Sequence, residues 1–281
     1  MKIENLKLKI IFFGGRHTTE ILESLSEKFE VLLVISSDQS VVNASINKKI
    51  PFAKVLEINE KLINGIKKIK PDIGVVADFG LIIPKKLIDV FPNGILNVHP
   101  SLLPKYRGPT PVQTAILNGD MKTGITIIRI DEKVDRGPII FQEEHFISPS
   151  DNSETVYAHL FKRAAKILPD LLPRFMKGLL KSFEQNHKNA TYTKSLKKED
   201  GFIAVDKVPA KQKLERMINA YHPWPSVWTR YPLTSQKSQK ALIKLHPGGY
   251  IHVEGKKAMK YKDFINGYER GEEFLKKLHL I

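Results

Sequence analysis

Cysteine is absent from this 281-residue chain. Its absence excludes a disulfide scaffold, a thiolate nucleophile and any Cys-ligated zinc or iron–sulfur site. Long hydrophobic runs are missing as well. The longest, such as Ile10–Phe13 and Val31–Ile35, fall far short of the ~20 apolar residues a membrane helix needs. The opening stretch MKIENLKLKI has no apolar leader core followed by a small-residue cleavage site, so a cytoplasmic protein with no membrane association is expected. Nucleotide signatures are lacking too. Gly14-Gly15 follows an apolar run, where a phosphate-binding turn often sits, but neither a full GxGxxG nor a P-loop is present, and a tight strand-to-helix turn is the simpler reading. The nine His residues show no HExxH or other tight ligand spacing, so no metal site is expected.

Acidic residues are scarce. There are 30 Asp+Glu against 45 Lys+Arg, a formal charge of +15. An excess of that size favours polyanions such as nucleic acid as partners, unless the lysines merely cover solvated faces. Its distribution is uneven. Residues 181–281 hold 20 basic and 10 acidic residues, so +10 of the +15 lies in the last third. What remains is ordinary for a folded protein, with 42% hydrophobic and 27% charged residues, which excludes wholesale disorder.

Apolar runs at Leu8–Phe13, Val31–Ile35 and Ile73–Val76 alternate with helical patterns, one through Ile21, Leu22 and Leu25 and another over Ile58–Ile69. Continuous apolar strands between amphipathic helices predict a parallel sheet covered on both faces. We therefore expect a doubly wound, mostly parallel α/β domain over residues 1–185, closing with a helix around Ser153–Leu180. Asn186–Asp200 is polar, Lys-rich and weakly periodic, and reads as a linker. Residues 201–281 contain short strand-like runs at Phe202–Val205, Val227–Thr229, Ala241–Leu245 and Tyr250–Val253, broken by Pro and Gly. They predict a small, mostly β domain ending in a helix over Tyr261–Leu278.

The most informative segment is ILNVHPSLLPKYRG, Ile95–Gly108. Alternation along a strand puts Asn97 and His99 on one face, at the carboxyl end where ligands bind in such sheets. An amide donor beside an imidazole can bind an oxyanion and move a proton. A strand-end histidine with an ordinary hydrogen bond has the same local sequence. Gly124–Ile130 reads as a further strand, and the loop after it carries Asp131, Glu132 and Asp135. Any of the three can orient a histidine, and all three can equally form a solvated acidic turn.

Taken together, Asn97-Val98-His99-Pro100-Ser101-Leu102-Leu103-Pro104, Arg107-Gly108, Gly124-Ile-Thr and Asp135-Arg-Gly resemble the 10-formyltetrahydrofolate-dependent formyltransferases. The stretch Val75–Pro84 (VVADFGLIIP) is similar to that family's folate-pocket segment. The resemblance is densest from Pro71 to Gly137. It implies Asn97, His99 and Asp135 as the catalytic trio, which selects among the three carboxylates by likeness alone. It also implies folate contacts at Phe79, Gly80, Leu81, Ile82, Ile83, Ser101, Leu102, Leu103, Pro104 and Val134. The reaction expected is attack of an amine on the formyl carbon of 10-formyltetrahydrofolate through a tetrahedral intermediate, with no metal and no covalent enzyme adduct.

Three C-terminal stretches, Tyr192–Gly201, His222-Pro-Trp-Pro-Ser226 and Val253–Met259 with Phe264–Tyr268, resemble the branch of the family that formylates initiator methionyl-tRNA. That likeness implies an OB-like β-barrel over 201–281 that helps hold tRNA, and a monomer. Trp224 reads as a buried anchor between prolines, or second as a stacking platform for RNA. Some positions depart from the family pattern. Ser36–Pro51 is short, with only Lys48-Lys49 where a longer basic loop is usual. Lys133 and Arg136 stand where Gly and Thr are common, and Pro100 replaces a small residue. The alternative acceptors are a nucleotide-linked amino-sugar and glycinamide ribonucleotide. The alternative class is a folate- or RNA-binding protein without turnover.

Overall fold

A computed structural model describes residues 7–234 and 240–281. Most of the N-terminal stretch noted above, Met1–Leu6, lies outside the described residues. Two compact units emerge. The first comprises 1–111, 123–145 and 157–193, and the second 112–122, 146–156 and 194–281. Residues 186–193, the start of the expected linker, thus belong to the first unit.

Seven strands form the larger sheet: β1 (Lys9–Gly14), β2 (Glu30–Ile35), β3 (Phe52–Ala53), β4 (Ile73–Ala77), β5 (Ile95–His99), β6 (Lys122–Arg129) and β7 (Ile139–Phe146). Their order is β3-β2-β1-β4-β5-β6-β7. The first five run parallel. The connecting helices are α1 (Thr19–Lys28), α2 (Gln39–Asn47), α3 (Glu60–Ile69) and the short α4 (Lys85–Ile88). The strands form because their residues are apolar on both faces. Ile10 to Phe13 and Ile73 to Ala77 are all buried, as a sheet covered on both sides requires. Helix starts follow local chemistry. The Asp38 carboxylate accepts from the backbone N–H of Ser40 and Val41, and the Asn59 side chain from that of Leu62, satisfying donors a helix cannot pair internally. At Gly15 the first strand's turn meets the fourth's. A Cβ there would stand 1.6 Å from the Asp78 carbonyl oxygen, so the Gly14-Gly15 pair serves backbone packing.

Two strands break the expected pattern. β6 runs antiparallel to β5, pairing Leu96 with Arg129 and His99 with Thr126. β7 went unread because Gln142-Glu143-Glu144-His145 interrupts any apolar run, and its side chains alternate between half-buried and exposed. Helices α5 (Pro111–Asn118) and α6 (Ser153–Met176) complete this part of the chain, and α6 ends four residues earlier than Leu180.

The second unit contains α7 (Lys211–Ala220), a helix not read from the sequence, and strands β8 (Val227–Tyr231), β9 (Ala241–His246), β10 (Tyr250–Val253) and β11 (Met259–Lys260). They form an antiparallel sheet in the order β11-β10-β9-β8. Phe202–Val205 is not a strand of this sheet; Phe202 makes only an isolated bridge to Trp228. The terminal helix is two helices, α8 (Tyr261–Gly267) and α9 (Gly271–Lys277). The chain passes close to α8 where α9 begins: a Cβ at Gly271 would lie 2.7 Å from the Phe264 carbonyl oxygen. Trp224 is 54% exposed, so it is not the buried anchor its flanking prolines suggest. Trp228 instead packs on Phe202, with Lys198 over its ring. Among the described residues no helix is long and apolar enough to cross a membrane.

Candidate active site

The carboxyl end of β5 presents Asn97 and His99 two residues apart. His99 is buried and Asn97 half-buried. The Asn97 amide nitrogen donates to Asp135 Oδ1 at 3.2 Å. The second carboxylate oxygen of Asp135 faces His99 Nδ1 at 3.6 Å, beyond hydrogen-bonding distance. It accepts instead from the backbone N–H of Gly108 at 2.7 Å. The other ring nitrogen, His99 Nε2, lies 3.0 Å from the Tyr106 carbonyl oxygen. A carbonyl only accepts, so Nε2 carries the proton there, and Nδ1 is left as the nitrogen that looks toward the carboxylate.

Of the three carboxylates, Asp135 alone reaches the pair. Asp131 and Glu132 are exposed, and Asp131 Oδ1 accepts from the Lys133 backbone N–H within its own turn. How Asp135 gets there is not obvious from topology. Because β6 is antiparallel, its chain exits at the level of Leu96, where Ile130 N–H donates to the Ile95 carbonyl. The loop must then double back toward His99. It does so with Asp135 in the left-handed region, φ 52°. The return is tight: a Cβ on Gly137 would stand 1.7 Å from the Arg129 carbonyl oxygen.

Gln185, which had no role in the sequence analysis, and Arg107, which appeared there only within the family motif, hold this loop. Gln185 donates from Nε2 to the carbonyls of Asp135 and Gly137, at 2.9 and 2.8 Å. Its Oε1 accepts from Arg107 Nε and Nη2 at 3.2 and 2.6 Å. All four hydrogen-bonding positions of the carboxamide are filled, and turning the amide over would set donor against donor. Arg107 is fully buried. Its other polar partners are the Tyr192 hydroxyl and His187 Nδ1; none of these groups is a carboxylate. Its backbone is held by Thr191 and Thr193, whose carbonyl and N–H bond it at 2.9 and 2.8 Å. The Thr191 hydroxyl also accepts from Tyr106 N–H at 2.8 Å. The only sequence signal for this bracket was the Arg107-Gly108 pair. Gln185 sits between two polar stretches that look like a linker.

The residues expected to touch folate divide by accessibility. Ile82 and Val134 are 79% and 52% exposed, and Gly80 is also exposed. Phe79, Leu81, Leu102 and Pro104 are half-buried. Phe79 packs edge-on to Phe13 with ring centres 5.3 Å apart. Ile83 belongs to the core with Phe13, Leu87 and Phe91. Ser101 and Leu103 are buried and tied to Thr126: its hydroxyl donates to the Ser101 carbonyl at 2.6 Å and accepts from Leu103 N–H at 3.2 Å. Those three residues shape the turn from inside.

Elsewhere, the histidines that looked scattered come together in the second unit. His222 and His246 have ring centres 5.6 Å apart, and His246 and His252 6.2 Å. Burial, then the neighbouring His222, His252 and Lys244, push the His246 pKa down to about 4. Among the described residues no group of His, Asp or Glu is arranged to hold a metal ion.

Comparison with known proteins gives the family. Residues 9–172 match the family described as formyl transferase. A methionyl-tRNA formyltransferase of Chloroflexus aggregans is 43% identical over 169 residues, 60% of this chain and 54% of that protein. The chain therefore spans about half the length of that relative. One of Buchnera aphidicola is 36% identical over 234 residues, 78% of this chain and 74% of that protein. Among solved structures, a 4-N formyltransferase of Francisella tularensis superposes with a TM-score of 0.67 at 22% identity, covering 86% of this chain and 99% of that one. At that identity the likeness speaks to fold alone.

Proposed function

The chain belongs to the formyl transferase family, and on that premise we propose that it is a methionyl-tRNA formyltransferase. It moves the formyl group of 10-formyltetrahydrofolate onto the free amino group of initiator methionyl-tRNA, by direct amine attack through a tetrahedral intermediate. The observation that carries this reading is the meeting of Asn97, His99 and Asp135 at the end of β5, in a chain whose relatives bear that name.

Each side chain has a task its contacts allow. Asn97 spends one amide N–H on Asp135, and its second is the donor for the formyl oxygen as that oxygen gains charge. Deleting such a preorganised donor typically costs about 3–4 kcal/mol. His99 has Nε2 committed to the Tyr106 carbonyl and Nδ1 directed at Asp135 without a closed hydrogen bond. A proton on Nδ1 is thus available to the reacting centre. Asp135 offsets the charge of that proton and helps a water carry the proton lost by the attacking amine to the tetrahydrofolate nitrogen, which leaves as its bond to the formyl carbon breaks. General acid–base help of this kind contributes roughly 10²–10⁴-fold. Folate is a second substrate. The exposed apolar Ile82 and Val134, with Phe79, Leu81 and Leu102, suit the faces of a flat ring system, while Gly80 and Ser101–Pro104 offer backbone groups.

The catalytic role falls to the region 1–185. We assign tRNA holding to 201–281, read as an OB-like β-barrel reached through 186–200. The support is its four-stranded antiparallel sheet and the +10 charge of residues 181–281. A monomer in the cytoplasm, serving translation initiation, belongs to the same reading.

The test is an assay with 10-formyltetrahydrofolate and either charged initiator tRNA or an amino-sugar nucleotide. Transfer to tRNA should fall steeply between about 50 and 200 mM salt, because several phosphate contacts release counterions. His99→Ala should lower turnover on the order of 10³-fold. Formylation of the sugar alone would replace the acceptor, and near-normal turnover by His99→Ala would sink the mechanism.

A further inference from the structure

We infer that Gln185 and Arg107 are positioning residues for Asp135, and that residues 185–193 form a strap that mounts the catalytic trio. The inference rests on the formyl-transfer reading for its kinetic consequences but on geometry for its content.

The need for a strap comes from the antiparallel β6. A parallel strand would deliver its following loop to the same end of the sheet as His99. This one delivers it to the level of Leu96, and Asp135 returns only by a left-handed kink. A non-glycine residue in that region stores strain of order 1–3 kcal/mol and persists only where its surroundings over-determine it. Here the backbone and side chain of Asp135 are held separately. Gln185 takes the carbonyls of Asp135 and Gly137, while Gly108 N–H and Asn97 take the carboxylate.

Both holds lead to one place. Gly108 follows Arg107, and Arg107 clamps the Gln185 carboxamide. Tyr106 precedes Arg107, and its carbonyl takes the proton of His99 Nε2. Three consecutive residues, Tyr106-Arg107-Gly108, therefore touch His99, Gln185 and Asp135 in turn. Thr191 and Thr193 secure that triplet from outside, through Tyr106 N–H and the Arg107 backbone. A fully buried guanidinium whose partners include no carboxylate is costly unless every donor is well placed. Holding the loop accounts for a cation whose burial the core itself does not require.

Gln185→Glu separates positioning from mere support. The carboxylate keeps an acceptor for Arg107 and adds a charge partner, so folding should survive. It removes the two N–H donors and sets an oxygen against the carbonyls of Asp135 and Gly137. We expect turnover to fall roughly 10–100-fold, the scale of a ~1 Å misplacement of a catalytic group, with KM for both substrates within about threefold of wild type and Tm not lowered. The His99 ring ¹⁵N resonances should also move, which needs no turnover to observe. Thr191→Val, at an exposed position, removes only the hydroxyl that holds Tyr106 and should lower turnover severalfold without altering Tm. It serves where Gln185→Glu fails to fold. Wild-type turnover in a folded Gln185→Glu or Thr191→Val, or unmoved His99 resonances, would overturn the inference. If wild-type protein formylates no amine, the formyl-transfer reading fails, while the resonances still decide the strap.

Discussion

Two histidines of this molecule, His99 and His246, stand among neighbours of opposite kinds. At the end of β5, both nitrogens of His99 face proton acceptors: the Tyr106 carbonyl at 3.0 Å and the Asp135 carboxylate at 3.6 Å. In the second unit, His246 lies between His222 and His252 with Lys244 nearby, and every one of those neighbours is a base or a cation. The first setting surrounds the ring with hydrogen-bond acceptors, whereas the second holds the His246 ring neutral. His99 is buried and His246 half-buried, and beyond that the difference lies in the sign and type of the partners. A buried histidine is informative only when its neighbours are known, and neither pattern can be read from the spacing of nine histidines along a chain.

The contrast can be broken first at Asp135. Asp135→Asn keeps the shape but removes the charge facing His99 Nδ1. Turnover should fall about 10²–10⁴-fold, the range expected when general acid–base assistance is lost, and steady-state kinetics beside a thermal melt would separate this from unfolding. An Asp135→Asn enzyme within tenfold of wild type would mean that the carboxylate does not serve His99.

The second intervention is acid. With its folded pKa near 4 against an ordinary 6.5, His246 is held neutral, so the unfolded chain takes up this proton first. The stabilisation from the neutral ring is complete above about pH 6.5, is lost as the pH falls, and is gone below about 4. At ~1.4 kcal/mol per unit it amounts to at most about 3.5 kcal/mol, and to less where solvent screens the half-buried ring. His246→Gln should flatten this loss in denaturant melts taken from pH 7 to pH 4, while formyl transfer at pH 7.5 stays near wild type. An unchanged acid slope would show that another group carries it.

The smallest effect is expected at Lys244. Lys244→Gln removes the cation from the row and should raise the His246 pKa by a few tenths of a unit, since a half-exposed charge is well screened. Proton NMR titration of the ring would read it, and a downward shift would contradict the repulsion.

How much of this was legible in the residues varies by element. β1, β2, β4 and β5 were, because a buried parallel strand must be apolar on both faces. β7 was not, since an edge strand needs apolar residues on one face only. The direction of β6 was hidden as well, because an apolar run carries no sign of orientation. The pairing of Asn97 with His99 followed from strand alternation. The choice of Asp135 did not follow from the residues, because its arrival depends on a kink and on a glutamine 50 positions later. Residues 186–193 read as linker because the bracket works through threonines and backbone groups, and neither leaves an apolar trace.

That bracket also bears on synthesis. The chain emerges in order, and every strand of the larger sheet is available once Phe146 has left the ribosome. The groups that fix Asp135 and Tyr106 come later, with Gln185 and Thr191. A nascent chain can therefore complete its sheet before the contacts that hold Asp135 and Tyr106 exist. The contacts around Asp135 close as a separate event, when the stretch through Thr193 has emerged and paired with Arg107.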